Sequence, residues 1–187
     1  MRVGVLAVQG AFIEHERICA ELGADVCELR SLEDLRRPLD ALILPGGEST
    51  AQSLLLHQLG MFEPLRMLIS EGMPTMGTCA GMILLAANIT GEDDAHLATM
   101  PVHVVRNGYG RQLGSFVRTL DVGAYHDFSA HFIRAPYIEE VGEGVEVLAR
   151  VDDHIVAVRY ENQVAYAFHP ELGGDNRLHE DFLRSVR

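Results

Sequence analysis

The feature that most limits the fold is an alternation of short apolar runs with longer amphipathic ones, each closed by glycine or proline. Arg2 to Val8 reads as a strand, and Phe12 to Leu22 as a helix stopped by Gly23. Asp25 to Leu29 is a second strand, and Ser31 is placed to cap a short helix that ends before Pro38. Asp40 to Leu44 is a third strand, short and apolar, as in a sheet buried on both faces. Pro45-Gly46-Gly47 breaks it, and helices follow over Thr50 to Gln58 and Phe62 to Glu71, with Gly72 ending the second. Pro74 to Gly77 leads into Cys79, and Ala80 to Asn88 reads as helix. Strand–helix–strand order of this kind implies a mostly parallel sheet flanked by helices, a three-layer, flavodoxin-like α/β fold.

The final third changes style. Val102 to Arg106, Ser115 to Val122, His131 to Arg134, Val145 to Val151, Ile155 to Tyr160 and Val164 to Phe168 read as strands. Turns such as Asp152-Asp153 and Glu161-Asn162 separate them, so additional antiparallel strands are expected here. A last helix is predicted over Asn176 to Val186, and Glu92 to Ala95 is a polar loop. No repeat, low-complexity tract or long linker interrupts the chain, so residues 1–187 are expected to form one domain.

Composition narrows the function. A formal net charge of -12 repels phosphate backbones and anionic bilayers, which argues against nucleic-acid and membrane partners. No apolar run is long enough to span a bilayer, and Met1 to Val8 reads as a core strand, not as a signal peptide. A cytoplasmic location is expected. Three cysteines are an odd count and do not suggest a disulfide framework, but they leave room for a reactive thiol.

One cysteine has a setting for chemistry. Gly77-Thr78-Cys79-Ala80-Gly81 has the form Gly-x-nucleophile-x-Gly between a predicted strand and a predicted helix. A tight turn there presents the thiol at a helix N-terminus, where the dipole and free N–H groups favour thiolate. The Ala80 amide is placed to donate to a developing oxyanion. The plainer alternative is a buried structural cysteine beside a glycine turn, which is the reading given to Cys19 and Cys27.

A thiol nucleophile needs a base. Phe168-His169-Pro170-Glu171-Leu172 follows an apolar strand, so His169 falls at a strand's carboxyl edge, where α/β sheets build their sites. Residues two apart in extended chain face the same way, so Glu171 can orient the imidazole and stabilise its charged form. The other eight of the nine histidines, His15 and His179 among them, are read as ordinary surface or core residues. The third element is Pro45-Gly46-Gly47-Glu48-Ser49, whose glycines let backbone N–H groups approach a ligand. It reads as half of an oxyanion hole or as a phosphate site at a helix start, although it lacks the lysine of a Walker loop.

Together these pieces resemble the triad class of glutamine amidotransferases. More narrowly, the chain is similar to the family of glutaminase subunits of two-component pyridoxal phosphate synthases. The segments that carry the likeness include Val5 to Gln9-Gly10, Gly46-Gly47-Glu48-Ser49-Thr50, Arg106-Asn107 with Gly110-Arg111-Gln112, and Phe132-Ile133-Arg134-Ala135-Pro136. The resemblance implies Cys79 as nucleophile, His169 as base and Glu171 as its partner. It implies an oxyanion hole at Gly46, Gly47 and Ala80, and L-glutamine held by Gly47, Glu48, Ser49, Arg106, Ile133 and Arg134. An arginine with an acidic residue suits the carboxylate and ammonium of an amino acid. It further implies a pyridoxal phosphate synthase subunit as ammonia acceptor, and no metal or organic cofactor in this chain. Other readings are the same glutaminase serving a synthase of histidine or purine synthesis, a cysteine hydrolase of related fold, and a non-catalytic glutamine-binding subunit.

Overall fold

The computed structural model describes residues 1–92, 94–109 and 114–186. The amino-terminal half is strand–helix alternation: β1 (Arg2–Leu6), α1 (Phe12–Glu21), β2 (Asp25–Leu29), α2 (Leu32–Leu35), β3 (Ala41–Leu44), α3 (Ser49–Gln58), α4 (Phe62–Ser70), β4 (Thr75–Thr78) and α5 (Ala80–Leu85). There follow β5 (Ala86–Ile89), β6 (Met100–Val105), β7 (Ser115–Val122), β8 (Tyr125–Ile133), β9 (Tyr137–Val141), β10 (Glu146–Val151), β11 (His154–Tyr160), β12 (Gln163–Tyr166) and α6 (Arg177–Ser185).

Ten strands share one sheet, in the order β2-β1-β3-β4-β12-β11-β9-β6-β5 with β10 on β11; β7 and β8 form a separate hairpin. The run from β2 to β12 is parallel throughout. Beyond β12, β11 pairs antiparallel with β12, β10 and β9, and β9 pairs antiparallel with β6. This is the α/β architecture with a mainly parallel sheet and added antiparallel strands that the sequence predicts.

What positions the site is the neighbourhood of β3, β4 and β12. All three are buried along their whole length, so both faces are covered. Leu44 is level with Gly77, and Thr78 with Tyr166. Three parallel strands that end level deliver the Gly46-Gly47 turn, Cys79 and the segment leading to His169 to one edge of the sheet. The glycines of the elbow are a packing requirement. A Cβ on Gly81 would overlap the Leu44 carbonyl, and one on Gly77 would come 2.8 Å from the Gly81 carbonyl carbon. Only without those side chains can α5 sit directly on β3 and β4.

The structure departs from the sequence reading in three places. The helix predicted over Ala80 to Asn88 ends at Leu85, and Ala86–Ile89 is a strand parallel to β6. From Met82 to Ala87 the segment is an unbroken apolar run, whose periodicity does not separate a buried helix from a buried strand. The strand predicted over His131 to Arg134 begins at Tyr125, with Phe128, Ala130 and Phe132 buried in alternation along it. β9, absent from the sequence reading, buries Ile138 between β6 and β11. No helix among the described residues is long and apolar enough to cross a membrane.

Candidate active site

The carboxyl edge of β3, β4 and β12 opens into a cleft of about 320 Å³, lined by Gln9, Gly10, Ala11, Gly46, Gly47, Glu48, Ser49, Cys79, Ile83, Arg106, Asn107, Ile133, Arg134 and His169. That volume lies at the small end of ligand pockets, roughly 300–1,000 Å³. Cys79 joins β4 to α5 with φ 49° and ψ -101°, a left-handed conformation unusual for a residue with a side chain. The Cys79 N–H donates to the Tyr166 carbonyl at 2.8 Å, which fixes the elbow to β12. Its Sγ lies 3.9 Å from the carbonyl of Ile133. Asn107 and Arg134, also in the lining, have φ 48° and 43°. Such strain gathers where the surrounding structure holds a residue for function.

His169 sits one step past the buried Phe168 and is itself 7% exposed. Its N–H donates to the His131 carbonyl at 2.8 Å. Its Nδ1 lies 2.6 Å from Oε1 of Glu171, whose side chain is fully buried. Pro170 sets the spacing that lets two residues so close in sequence meet. Burial alone would lower the His169 pKa; contacts with Cys79 and Glu171 outweigh it and raise it to about 10. The imidazolium form is thus favoured between the sulfur of Cys79 and the carboxylate of Glu171. Gly46 lies directly against this ring, where a Cβ would overlap Cε1 of His169.

The Gly46-Gly47 turn differs in one respect from the sequence reading. The Gly46 N–H donates to Thr78 Oγ1 at 3.0 Å, so this amide is engaged away from a ligand. Of the expected oxyanion donors, Gly46 is therefore set aside, and Gly47 and Ala80 remain. Ala80, buried at the start of α5, stands immediately after Cys79. Glu48 is the N-cap of α3, accepting from the Ala51 N–H at 2.9 Å through Oε2, while its Oε1 meets Arg106 at 2.6 Å. Arg106 also bonds Thr50 Oγ1 at 3.0 Å and pairs with Glu92. The cleft thus carries a cation and an anion side by side.

Of the residues expected at the site, Gly46, Gly47, Glu48, Ser49, Cys79, Arg106, Ile133, Arg134 and His169 line the cleft, and Glu171 lies buried behind His169. Gly110, Arg111 and Gln112 of the Arg106 segment lie outside the described residues. Sequence reasoning missed Gln9, whose Oε1 accepts from the Glu48 N–H at 2.9 Å. The available signal was its place just beyond an apolar strand, at the same sheet edge. It also missed His15 and His179, both fully buried. His15 Nε2 is 3.4 Å from Glu171 Oε2 and 3.2 Å from Thr78 Oγ1, and its Nδ1 is 2.8 Å from His179 Nε2. Among the described residues no cluster of His, Cys, Asp or Glu is arranged to hold a metal ion.

Thiol, imidazole and carboxylate in this order, at the carboxyl edge of a parallel sheet, define a class: α/β proteins built for acyl transfer through a cysteine. The chain matches the SNO glutamine amidotransferase family over residues 5–187 and belongs to that family. It is 57% identical over 186 residues to the pyridoxal 5'-phosphate synthase subunit PdxT of Desulfitobacterium hafniense (strain Y51), covering 100% of this chain and 94% of that protein. It is 54% identical to the PdxT subunit of Methanocorpusculum labreanum, covering 100% of this chain and 98% of that one. A crystal structure of a glutamine amidotransferase superposes with a TM-score of 0.92 at 45% identity, covering 97% of each chain.

Proposed function

We propose that this chain is the glutaminase subunit of a pyridoxal 5'-phosphate synthase, hydrolysing L-glutamine and supplying the ammonia for pyridoxal phosphate synthesis. Residues 1–187 serve as one glutamine amidotransferase domain, a reading supported by one sheet that unites strands from both halves of the chain, β1 and β12 included. The observation that carries the chemistry is the 2.6 Å contact of buried Glu171 with His169, beside a cysteine in an elbow conformation.

In this mechanism the Cys79 thiolate attacks the side-chain amide carbon of glutamine. The carbonyl electron pair moves onto oxygen, and the amides of Gly47 and Ala80 stabilise that oxyanion. As the tetrahedral intermediate collapses, the C–N bond breaks and the His169 imidazolium gives its proton to the leaving nitrogen, releasing ammonia. The thioester carries no charge on sulfur, so the attraction that helped keep His169 protonated is gone. The neutral imidazole then takes a proton from water, which attacks the thioester and releases glutamate and thiolate. Arg106 and Glu48 read the carboxylate and ammonium of the amino acid, with Ser49, Ile133 and Arg134 completing its seat. The ammonia acceptor is a synthase subunit; free ammonia in water is mostly protonated and unreactive as a nucleophile. The test is to combine the purified chain with that subunit, glutamine, a pentose phosphate and a triose phosphate. Pyridoxal phosphate formed from glutamine nitrogen is the expected product. Glutamine hydrolysis without product in the complex would point to another synthase.

A further inference from the structure

The proposed mechanism uses one oxygen of Glu171. The other, Oε2, is buried and makes no hydrogen bond among the described residues. What faces it, at 3.4 Å, is Nε2 of His15, and neither side chain has any exposure. The same Nε2 is 3.2 Å from Thr78 Oγ1, which accepts the Gly46 N–H at 3.0 Å. On its other edge His15 lies 2.8 Å from His179 of α6. One buried imidazole from α1 therefore touches the triad carboxylate and the residue before the nucleophile. Through that residue it reaches the turn that packs against His169.

The carboxylate favours one tautomer. A carboxylate only accepts, so the His15 nitrogen that faces it must carry the hydrogen. Nδ1 of His15 is then an acceptor, and His179 supplies its Nε2–H. This leaves Nδ1 of His179 as a bare acceptor, and that atom is buried without a partner among the described residues. The opposite tautomers would set a lone pair against the carboxylate. Both rings are kept neutral: burial, then His179 and His169, hold His15 well below its ordinary pKa, and burial holds His179 at about 4. The titratable groups around His15 are Glu171, His179 and His169.

The geometry points to His15 as a positioning residue of the glutaminase: its Nε2–H, bonded to Thr78 Oγ1 and standing 3.4 Å from Glu171 Oε2, holds by charge–dipole attraction the carboxylate that orients His169. The inference rests on the triad reading above. A packing role alone predicts only a change in stability.

Three variants separate the two: His15→Leu, His15→Gln and His15→Asn. The glutamine side chain can bring an N–H to where Nε2 stands; asparagine ends near Nδ1 and cannot. In the complex with the synthase subunit, His15→Leu and His15→Asn should lower kcat roughly tenfold to a hundredfold, the range for a small misplacement of the catalytic groups. KM should stay within about twofold, since no glutamine contact is touched. His15→Gln should recover most of the loss. A second readout needs no turnover: the NMR titration of the His169 ring in the free chain. Its midpoint should fall in His15→Leu and His15→Asn and return in His15→Gln. If His15→Leu fails to fold, the comparison of glutamine with asparagine decides. Equal rates and equal His169 titrations in those two variants would overturn the proposal, whatever their melting temperatures. A wild-type complex that does not hydrolyse glutamine would instead overturn the triad reading, while the His169 titration would still report on His15.

Discussion

Replacing Glu171 by glutamine removes one charge and nearly no volume. The amide oxygen can still accept from His169 Nδ1, so the ring keeps its place while losing the anion that favours its protonated form. The contact is 2.6 Å, with side-chain exposures of 9% and 0%, so water screens it little. A hydrogen bond to a charged group contributes about 1.5–3 kcal/mol, against about 1 kcal/mol for a neutral one. With the Coulombic attraction added, the expected loss in the transition state is roughly 1.5–3 kcal/mol, or about tenfold to 150-fold in kcat. KM should hardly move. The assay is ammonia release in the presence of the synthase subunit, with a thermal melt to confirm folding. The same variant has a signature in stability. His169 is raised to about 10 in the folded chain, from an ordinary value near 6.5. A group raised on folding adds stability below its unfolded pKa, and that stability is lost as pH climbs through the folded one. The wild-type chain should therefore lose more thermal stability between about pH 6.5 and 10 than Glu171→Gln, whose window closes earlier. A variant with at least half the wild-type kcat and an unchanged pH profile of melting would remove Glu171 from the mechanism.

Cys79→Ala and Cys79→Ser should abolish glutamine hydrolysis without loss of fold, whereas Cys19→Ala and Cys27→Ala should stay near normal. The Cys19 thiol is fully buried and pushed up to about 12 by that burial, so it is inert at neutral pH; an inactive, folded Cys19→Ala would contradict this. Gly46→Ala should cost roughly a hundredfold in kcat, because its methyl group would displace the His169 ring and small misplacements are costly; a fully active variant would show that the ring tolerates the shift. Turnover of the purified chain should rise as the synthase subunit is titrated in, and a rate that is high alone and flat on titration would remove the case for activation by that partner.

The grouping of Cys79, His169 and Glu171 was legible in the sequence because its signals are local. Gly77 and Gly81 are needed by the packing of α5 on β3 and β4, and Pro170 sets the spacing of His169 and Glu171. The parallel half of the fold was legible for the same reason: its glycine and proline stops mark each crossover. The run from Ala80 to Ile89 was not, since helix and strand bury apolar residues equally well there. β9 was missed because only Ile138 is buried among neighbours that are exposed or half-buried. His15 was beyond sequence reasoning altogether. Its partners lie 63 and 164 residues away, and no periodicity carries a hydrogen bond across that distance. Gly46 was expected to be an oxyanion donor from the Gly-Gly turn and the family resemblance; only the direction of its N–H, toward Thr78, separates it from Gly47.

That direction also locates a joint of the site that can turn cheaply. Cys79 is tied to β12 by its N–H, and His169 to β8 by its own. Arg106 and Glu48 are bound into a polar web. The peptide between Gly46 and Gly47 is held differently. Its carbonyl accepts the Ala11 N–H at 2.9 Å, and in a trans peptide the Gly47 N–H points to the opposite side. Rotating this peptide breaks that bond, about 0.5–1.5 kcal/mol, and glycine on both sides removes the steric barrier a side chain would raise. The Gly46 N–H to Thr78 belongs to the preceding peptide, so the turn stays anchored while the next amide moves. Losing an oxyanion donor costs roughly 10²–10³ in rate, far more than the turn resists. A synthase subunit that contacts this turn and favours one orientation by a few kcal/mol would therefore control the rate without disturbing the triad.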